Sequence, residues 1–410
     1  MKNVKIGDVK PGMTLFKDVL GSNGRMLSSK GTILDEKTIR VLNIWGVVEI
    51  TIISDDKGDV ETEVGKNVDP QDMEFARIIA DELFPNASNV PMAELKRLRM
   101  LDFATKPDSA PHRKSPPPPG SLLEPESIPS SVEELVAGDS ELSSFPEVYF
   151  ELQKALDDPR CSTTHLADII GRDPALAARL LRLANSPLYG FPKRITSLSR
   201  GVMLIGSQEL IQLVMGVSAM SLFKGSPSGP IGITESWEHA IGCGVYAKVL
   251  ASRVSGLSQE RCFVAGLIHD IGRLILLRLL PSRMESAVAI SLEKKSPLHV
   301  VERDLLGFDH ADVARVAMTS WGLPPSLCES VGGHHAPHCL EKDPYARVIH
   351  VADIVTIAQG YGANGSPFVP EMDLNAWNLL GLPVSVLAVA RSQADHLIRD
   401  IFSIFMGERL

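Results

Sequence analysis

From Ser131 onward, the apolar residues of this 410-residue chain recur every three or four positions, and strand-like alternation is nearly absent. Such a pattern buries helix stripes rather than sheet faces. Local punctuation agrees. Ser131 with Glu134 spells a capping box. In "RDPALAARLLRLAN", Asp173 stands as N-cap and Pro174 at the first helical position, with Leu176, Leu180 and Leu183 at helical spacing. "PVSVLAVARSQADHLIRDIFSIF" reads as a long amphipathic helix near the end. The expected fold class is mainly α: an all-helical bundle at the C-terminus with a small β-rich N-terminal module.

That module takes residues 1–60. Glycine and proline punctuate its short apolar segments, Val47 to Ile53 has the β-branched bias of a strand, and Asp35 caps a short helix through Leu42 with Gly46 past its end. Residues 61–105 read as a helical connector, in which Met73, Phe75, Ala76, Ile79 and Leu83 fall near one face. Residues 106–130 are proline-dense without apolar periodicity, a composition that buries too little surface to offset chain entropy, and read as a linker. The main domain takes 131–365, and residues 366–410 supply C-terminal helices packing on it.

A net charge of −9 gives no global attraction to nucleic acid or to an anionic membrane. The longest oily stretches, such as "LVMGVSAMSLF", fall short of the roughly 18 residues a spanning helix needs. The first residues hold no apolar signal core, so the expectation is a soluble cytoplasmic protein with no membrane partner. Five scattered cysteines without a CxxC pair argue against a disulfide framework or a thiolate zinc site. The absence of GxSxG, Walker A and GxGxxG sets aside serine-hydrolase, P-loop and Rossmann chemistry.

"AGLIHDIGRLIL" places His269 and Asp270 side by side in an oily run. Successive helical residues point about 100° apart, so both reach one ion only at a helix shoulder. They have company. His239 lies on a stripe with Cys243, Tyr246 and Leu250; His310 follows the N-cap Asp309; His334 and His335 follow two glycines; Asp353 lies among Val351, Ala352, Ile354 and Val355. One histidine in an oily helix reads first as a hydrogen-bonded core residue. Seven His/Asp side chains from five successive segments point instead to one or two divalent transition metals (iron, manganese, zinc or nickel), which imidazole and carboxylate suit. An ion there would lower the pKa of bound water and polarise a phosphoryl oxygen.

His239, His269–Asp270 and Asp353 resemble the H…HD…D pattern of HD-domain metal-dependent phosphohydrolases. His310 and the His334–His335 pair resemble the added ligands of two-metal members, and Glu235 stands where the HD-GYP branch carries an acidic ligand. "FPEVYFELQKALDDP" with "DPALAARLLRLANSPLYG" resembles the start of an HDOD domain, from about 140 to 360. The resemblance implies an HD-like helical bundle and a bacterial regulatory role, through an unidentified signalling protein or a nucleotide-type ligand. Residues 1–55 resemble modules fused to bacterial HD signalling domains.

Two departures bear on catalysis. Arg273 replaces the lysine of HDxGK, staying cationic without transferring protons, and no GYP follows the histidine pair. Hydrolysis of cyclic di-GMP is therefore not supported. A phosphohydrolase acting on another nucleotide or cyclic dinucleotide is the alternative, with Arg273 as the catalytic cation steadying phosphate charge. Between Arg172 and Arg200 lie six basic residues and one acidic, yet only Tyr189 and Phe191 could stack on bases, so nucleic acid ranks last among partners. In "NSPLYG", Asn185 reads as a helix C-cap with Pro187 stopping continuation.

Overall fold

The computed structural model of the chain describes residues 2–15, 17–20, 26–28, 32, 34–52, 69–106, 126–139, 145–191, 193–223, 231–366 and 368–406. The chain divides into two units, residues 1–68 with 190–192 and residues 69–189 with 193–410. Residues 107–125, the greater part of the expected linker, lie outside the described residues, as does Ile53 of the expected strand.

In the first unit, strands Lys2–Lys5 (β1) and Glu49–Ile52 (β4) pair antiparallel, with Val4 opposite Ile50. Val19–Leu20 (β2) and Met26–Ser28 (β3) form a second antiparallel pair. The α-helix of this unit, Glu36–Ile44 (α1), starts where expected: the Asp35 side chain accepts from Thr38 N at 2.7 Å. It ends at Gly46, whose φ of 67° is left-handed, and Val47 N donates back to Leu42 O at 2.9 Å. Leu42 and Val47 are buried with Leu15, Leu34 and Ile50, so this C-terminal motif closes over the small core.

The second unit is helical among its described residues. Pro70–Leu83 (α2) and Val90–Thr105 (α3), read from sequence as a connector, contribute Phe84, Met92, Leu95 and Leu98 to the same core as the rest. Phe75 does not share the buried stripe of α2; it is exposed, and Ala76 and Ala80 face inward instead. Next come Val132–Ala137 (α4), Glu147–Leu156 (α5), Thr163–Gly171 (α6), Pro174–Ala184 (α7), Leu198–Ile205 (α8) and Ser207–Ser221 (α9). In α4 the Ser131 hydroxyl accepts from Glu134 N, but the Glu134 carboxylate returns to Ser130 N, one residue earlier than a capping box requires. In α7, Asp173 accepts from Ala175 N and Leu176 N, and Leu176, Leu180 and Leu183 are buried. Each such leucine contributes about 1.5–3 kcal/mol.

The remaining helices are Ile233–Ala251 (α10), Gln259–Ile268 (α11), Ile271–Leu279 (α12), Pro281–Lys294 (α13), Leu298–Leu306 (α14), His310–Ser320 (α15), Pro325–Gly332 (α16), Pro337–Lys342 (α17), Pro344–Gln359 (α18), Leu374–Leu380 (α19) and Val386–Met406 (α20). Helix α10 is buried on every side from His239 to Ala251 and packs against α11, α18 and α20. Two glycines set the spacing that matters below. A Cβ on Gly266 of α11 would stand 2.9 Å from the Cys243 carbonyl of α10; a Cβ on Gly272 of α12 would overlap the His310 carbonyl and stand 2.6 Å from Ala314 N of α15. Only a residue without a side chain lets these helix pairs approach backbone to backbone. Among the described residues no single helix is long and apolar enough to cross a membrane; α8 and α9 together have the composition but bend by 114°.

Candidate metal centre

His269 and Asp270 are not on one helix. His269 is the C-cap of α11 and Asp270 the residue before α12, with φ −95° and ψ 14°. This corrects the reading that put both on a single helix, and it removes the 100° problem, because the chain turns between them. Asp270 makes no capping hydrogen bond with its side chain. Its carboxylate points into the site instead.

His239, from α10, brings Nε2 to 3.3 Å from His269 Nε2, 3.0 Å from Asp353 Oδ1 and 3.6 Å from Asp270 Oδ2. His269 Nε2 lies 3.4 Å from Asp270 Oδ1 and 3.6 Å from Asp353 Oδ1. Asp353 arrives from the middle of α18, 3% exposed. His239 and His269 thus stand 3.3 Å apart, each within 3.0–3.6 Å of a carboxylate oxygen of Asp270 and of one of Asp353. Donors about 2.0–2.1 Å from a tetrahedral ion are about 3.3 Å from one another.

A second group, His310, His334 and His335, brings its nitrogens within 4.8 Å of one another. Asp270 joins the groups: its Oδ1 is also 3.2 Å from His310 Nε2. His335 Nε2 lies 3.2 Å from His310 Nε2. The structure therefore brings all seven sequence-predicted His/Asp residues together. Glu235 belongs to neither group among the described residues; its carboxylate lies against Gly232, before its own helix.

Tautomers distinguish a donor set from a locked core. A carbonyl oxygen only accepts, so His269 Nδ1 must donate to Gly266 O at 2.7 Å and His334 Nδ1 to Val331 O at 2.6 Å. His310 Nδ1 likewise donates to Glu302 Oε2 at 2.6 Å. Each ring is thereby oriented with Nε2 turned into the site, the arrangement that metal-bound histidines adopt. His334 Nε2, Asp270 Oδ1 and Asp353 Oδ1 are buried, and none has a hydrogen-bond partner among the described residues. Buried polar atoms left that way are costly. The convergent, orphaned atoms fit a divalent ion. His350 differs: Nδ1 donates to His334 O at 3.0 Å and Nε2 accepts from Asp373 N at 3.0 Å. Both nitrogens are used, and His350 holds the His334 backbone in place.

Two residues of α14 were missed by sequence. Glu302 has no exposed surface and accepts from His310 at both Nδ1 and the backbone N, the latter at 3.0 Å. His299 stacks on His335 with ring centres 4.0 Å apart. The sequence signal for Glu302 is its place between Leu298 and Leu306 at four-residue spacing, on the apolar stripe of its helix, masked by the neighbouring Arg303.

Arg273, the predicted catalytic cation, is 4% exposed. Its guanidinium pairs with Asp270 Oδ2, lies 3.0 and 3.2 Å from the two ring nitrogens of His310, and brings Nε to 3.7 Å from Glu302 Oε1. Burial works against charge throughout the site. It pushes His334 down to about 3 and His299 to about 4, and takes His335 well below the imidazole range. His310 goes the other way: burial and Arg273 disfavour its proton, but Glu302 and Asp270 prevail and hold it at about 9. Burial also opposes the proton on His269, yet Asp270 raises that group well above its usual range. Asp270 and Asp353 are both held well below the carboxylate range against their burial, Asp270 by Arg273 and Asp353 by His239 and His269.

The HDOD domain family matches residues 142–337, a stretch with every site residue above except His350 and Asp353. An uncharacterised protein of Treponema pallidum (strain Nichols) is 24% identical over 261 residues, 63% of this chain and 48% of that one, so the match spans about half of that relative. The crystal structure of an HDOD domain protein with unknown function from Geobacter sulfurreducens covers 68% of this chain and 97% of its own, at 23% identity and a TM-score of 0.56. A proposed phosphohydrolase from Shewanella amazonensis SB2B covers 66% and 97%, at 19% identity and a TM-score of 0.54. At such identities the two structures show a shared fold. The HDOD match itself covers residues 142–337, just under half of the chain, and takes in every donor except Asp353.

Proposed function

We propose that the chain is a regulatory HD-type module of bacterial signal transduction, acting through a signalling protein or a nucleotide-type ligand, with a divalent iron, manganese, zinc or nickel ion built into its fold. The observation that carries this reading is the pair His239 and His269, 3.3 Å apart on two segments, with carboxylate oxygens of Asp270 and Asp353 each 3.0–3.6 Å from both. An ion there would tie α10, the α11–α12 junction and α18 together, and its binding free energy would add to folding stability.

A metal-dependent phosphohydrolase is the second reading, favoured by the same donors, since an ion at this place supplies a polarised phosphoryl oxygen and an activated water. The cavity touching Asp270 and Arg273 weighs against it. Its volume is about 10 Å³, room for roughly one water, whereas ligand sites run to roughly 300–1,000 Å³.

The test is the metal content of the purified wild type beside Asp270→Ala, with bis(p-nitrophenyl) phosphate hydrolysis measured on the same samples. Metal in the wild type, lost in the variant, without turnover is the expected result. Metal-dependent turnover lost in Asp270→Ala would move the chain to the hydrolases. No metal in either sample, even after reloading, would return His269 and Asp270 to a hydrogen-bonded core pair.

A further inference from the structure

Two groups of donors invite two ions, but the second group already has a cation. We propose that the Arg273 guanidinium stands in for a second metal ion, so that the chain binds one divalent ion, at His239, His269, Asp270 and Asp353. The proposal rests on the metal-site reading above and fixes its stoichiometry.

Position comes first. The carboxylate that joins the two groups is Asp270: Arg273 pairs with its Oδ2, and His310 Nε2 lies 3.2 Å from its Oδ1. The same guanidinium lies 3.0 and 3.2 Å from both ring nitrogens of His310. Nearly equal distances to two nitrogens of one ring place it over the ring edge rather than along one lone pair. A cation between the Asp270 carboxylate and the His310 ring occupies ground that an ion bridged by Asp270 to His310, His334 and His335 would need.

The second argument is charge. Asp270, Asp353 and Glu302 are three carboxylates with little or no exposed surface, grouped around these histidines. Buried charge without a partner is costly. Counted with every imidazole neutral, one guanidinium and one divalent ion balance three carboxylates. A second divalent ion would leave two buried positive charges in excess.

The third is fixity. The Arg273 side chain is 5% exposed, and its planar fork lies against groups on three helical segments at once: it pairs with Asp270 and lies beside His310 of α15 and Glu302 of α14. A lysine has one charged atom and cannot span that set. Swinging Arg273 out would take the guanidinium away from Glu302 Oε1, a buried oxygen that His310 does not reach with a hydrogen bond. Arg273 is thus a built-in part of the site rather than a mobile phosphate contact.

The full chain, stripped with chelator and reloaded with Mn²⁺, tests this by elemental analysis and electron paramagnetic resonance. The wild type is expected to hold one ion with the spectrum of an isolated Mn²⁺. Arg273→Ala is expected to hold two, and Arg273→Ala combined with His335→Ala one. Two ions per wild-type chain, or an exchange-coupled pair in its spectrum, would overturn the proposal and leave the metal-site reading standing. One ion in a folded Arg273→Ala would also overturn it. No ion in any sample would remove the metal-site reading itself. Should Arg273→Ala fail to fold, the wild-type stoichiometry and spectrum still decide.

Discussion

Glu302 and His310 meet at 2.6 Å with neither side chain exposed to solvent. The carboxylate also accepts from the first backbone N–H of α15 and faces Arg273. Removing one member of a buried charged pair costs about 3–5 kcal/mol. We expect Glu302→Ala to lose about that much in urea unfolding. Glu302→Gln, which can still accept from His310 Nδ1, should lose less. A loss below about 1 kcal/mol in Glu302→Ala would show that the pair contributes little.

Gly272→Ala should be among the most damaging small substitutions in the domain. Its methyl would overlap the His310 carbonyl, so α12 and α15 would have to separate. Overpacking of this kind costs about 1–3 kcal/mol, here with weaker metal binding because Asp270 and His310 sit on the two sides. Gly171→Ala, whose nearest neighbour would be 3.9 Å away, is the control and should change neither. Thermal unfolding with and without metal reads both effects.

Metal affinity should rise with pH. In the metal-free protein His269 binds its proton more tightly than a free imidazole, chiefly through Asp270. An ion using His269 Nε2 must displace that proton, so acid competes with it. The sign follows: each proton displaced adds about tenfold in affinity per pH unit until the group is free of its proton. Titrations with Mn²⁺ at stepped pH read the slope, and a flat profile would place His269 outside the ligand set. Asp353→Asn should abolish the metal-dependent rise in Tm; at ligand 100-fold above Kd that rise corresponds to about 2.7 kcal/mol in the wild type.

Asn185→Ala should destabilise the protein without touching metal content. The side chain donates to Leu181 O at 2.7 Å and Ile195 O at 2.9 Å and accepts from Ile195 N at 2.7 Å. Three hydrogen bonds at about 1 kcal/mol each set the scale, and parallel metal analysis and chemical denaturation would separate this residue from the centre. A loss of metal would instead tie the α7 turn to the ligand set.

How far the sequence reaches can be judged from these residues. The caps at Asp35, Asp173 and Asp309 were legible because an N-cap is a local event, decided within three residues. Of the seven His/Asp positions, His239, His269–Asp270 and Asp353 stand out because each interrupts an apolar run, whereas His310 follows an N-cap and His334–His335 follow two glycines. Glu302 interrupts an apolar stripe too, but an acidic residue beside Arg303 reads as ordinary helix surface until α15 is packed on it. Asn185 was read as a helix cap; its second partner, Ile195, is ten residues away and belongs to the tertiary fold. The break between α11 and α12 escaped because "LIHDIGRLIL" keeps its apolar content through the turn, and neither proline nor a left-handed residue marks it.

That break also shapes how such a site could be inherited. Two donors sit on either side of a single peptide bond, and they converge only because the chain bends there. A change that straightened the joint would swing one donor away from the other in a single step. A lineage carrying this junction therefore holds two donors as a unit, kept or discarded together.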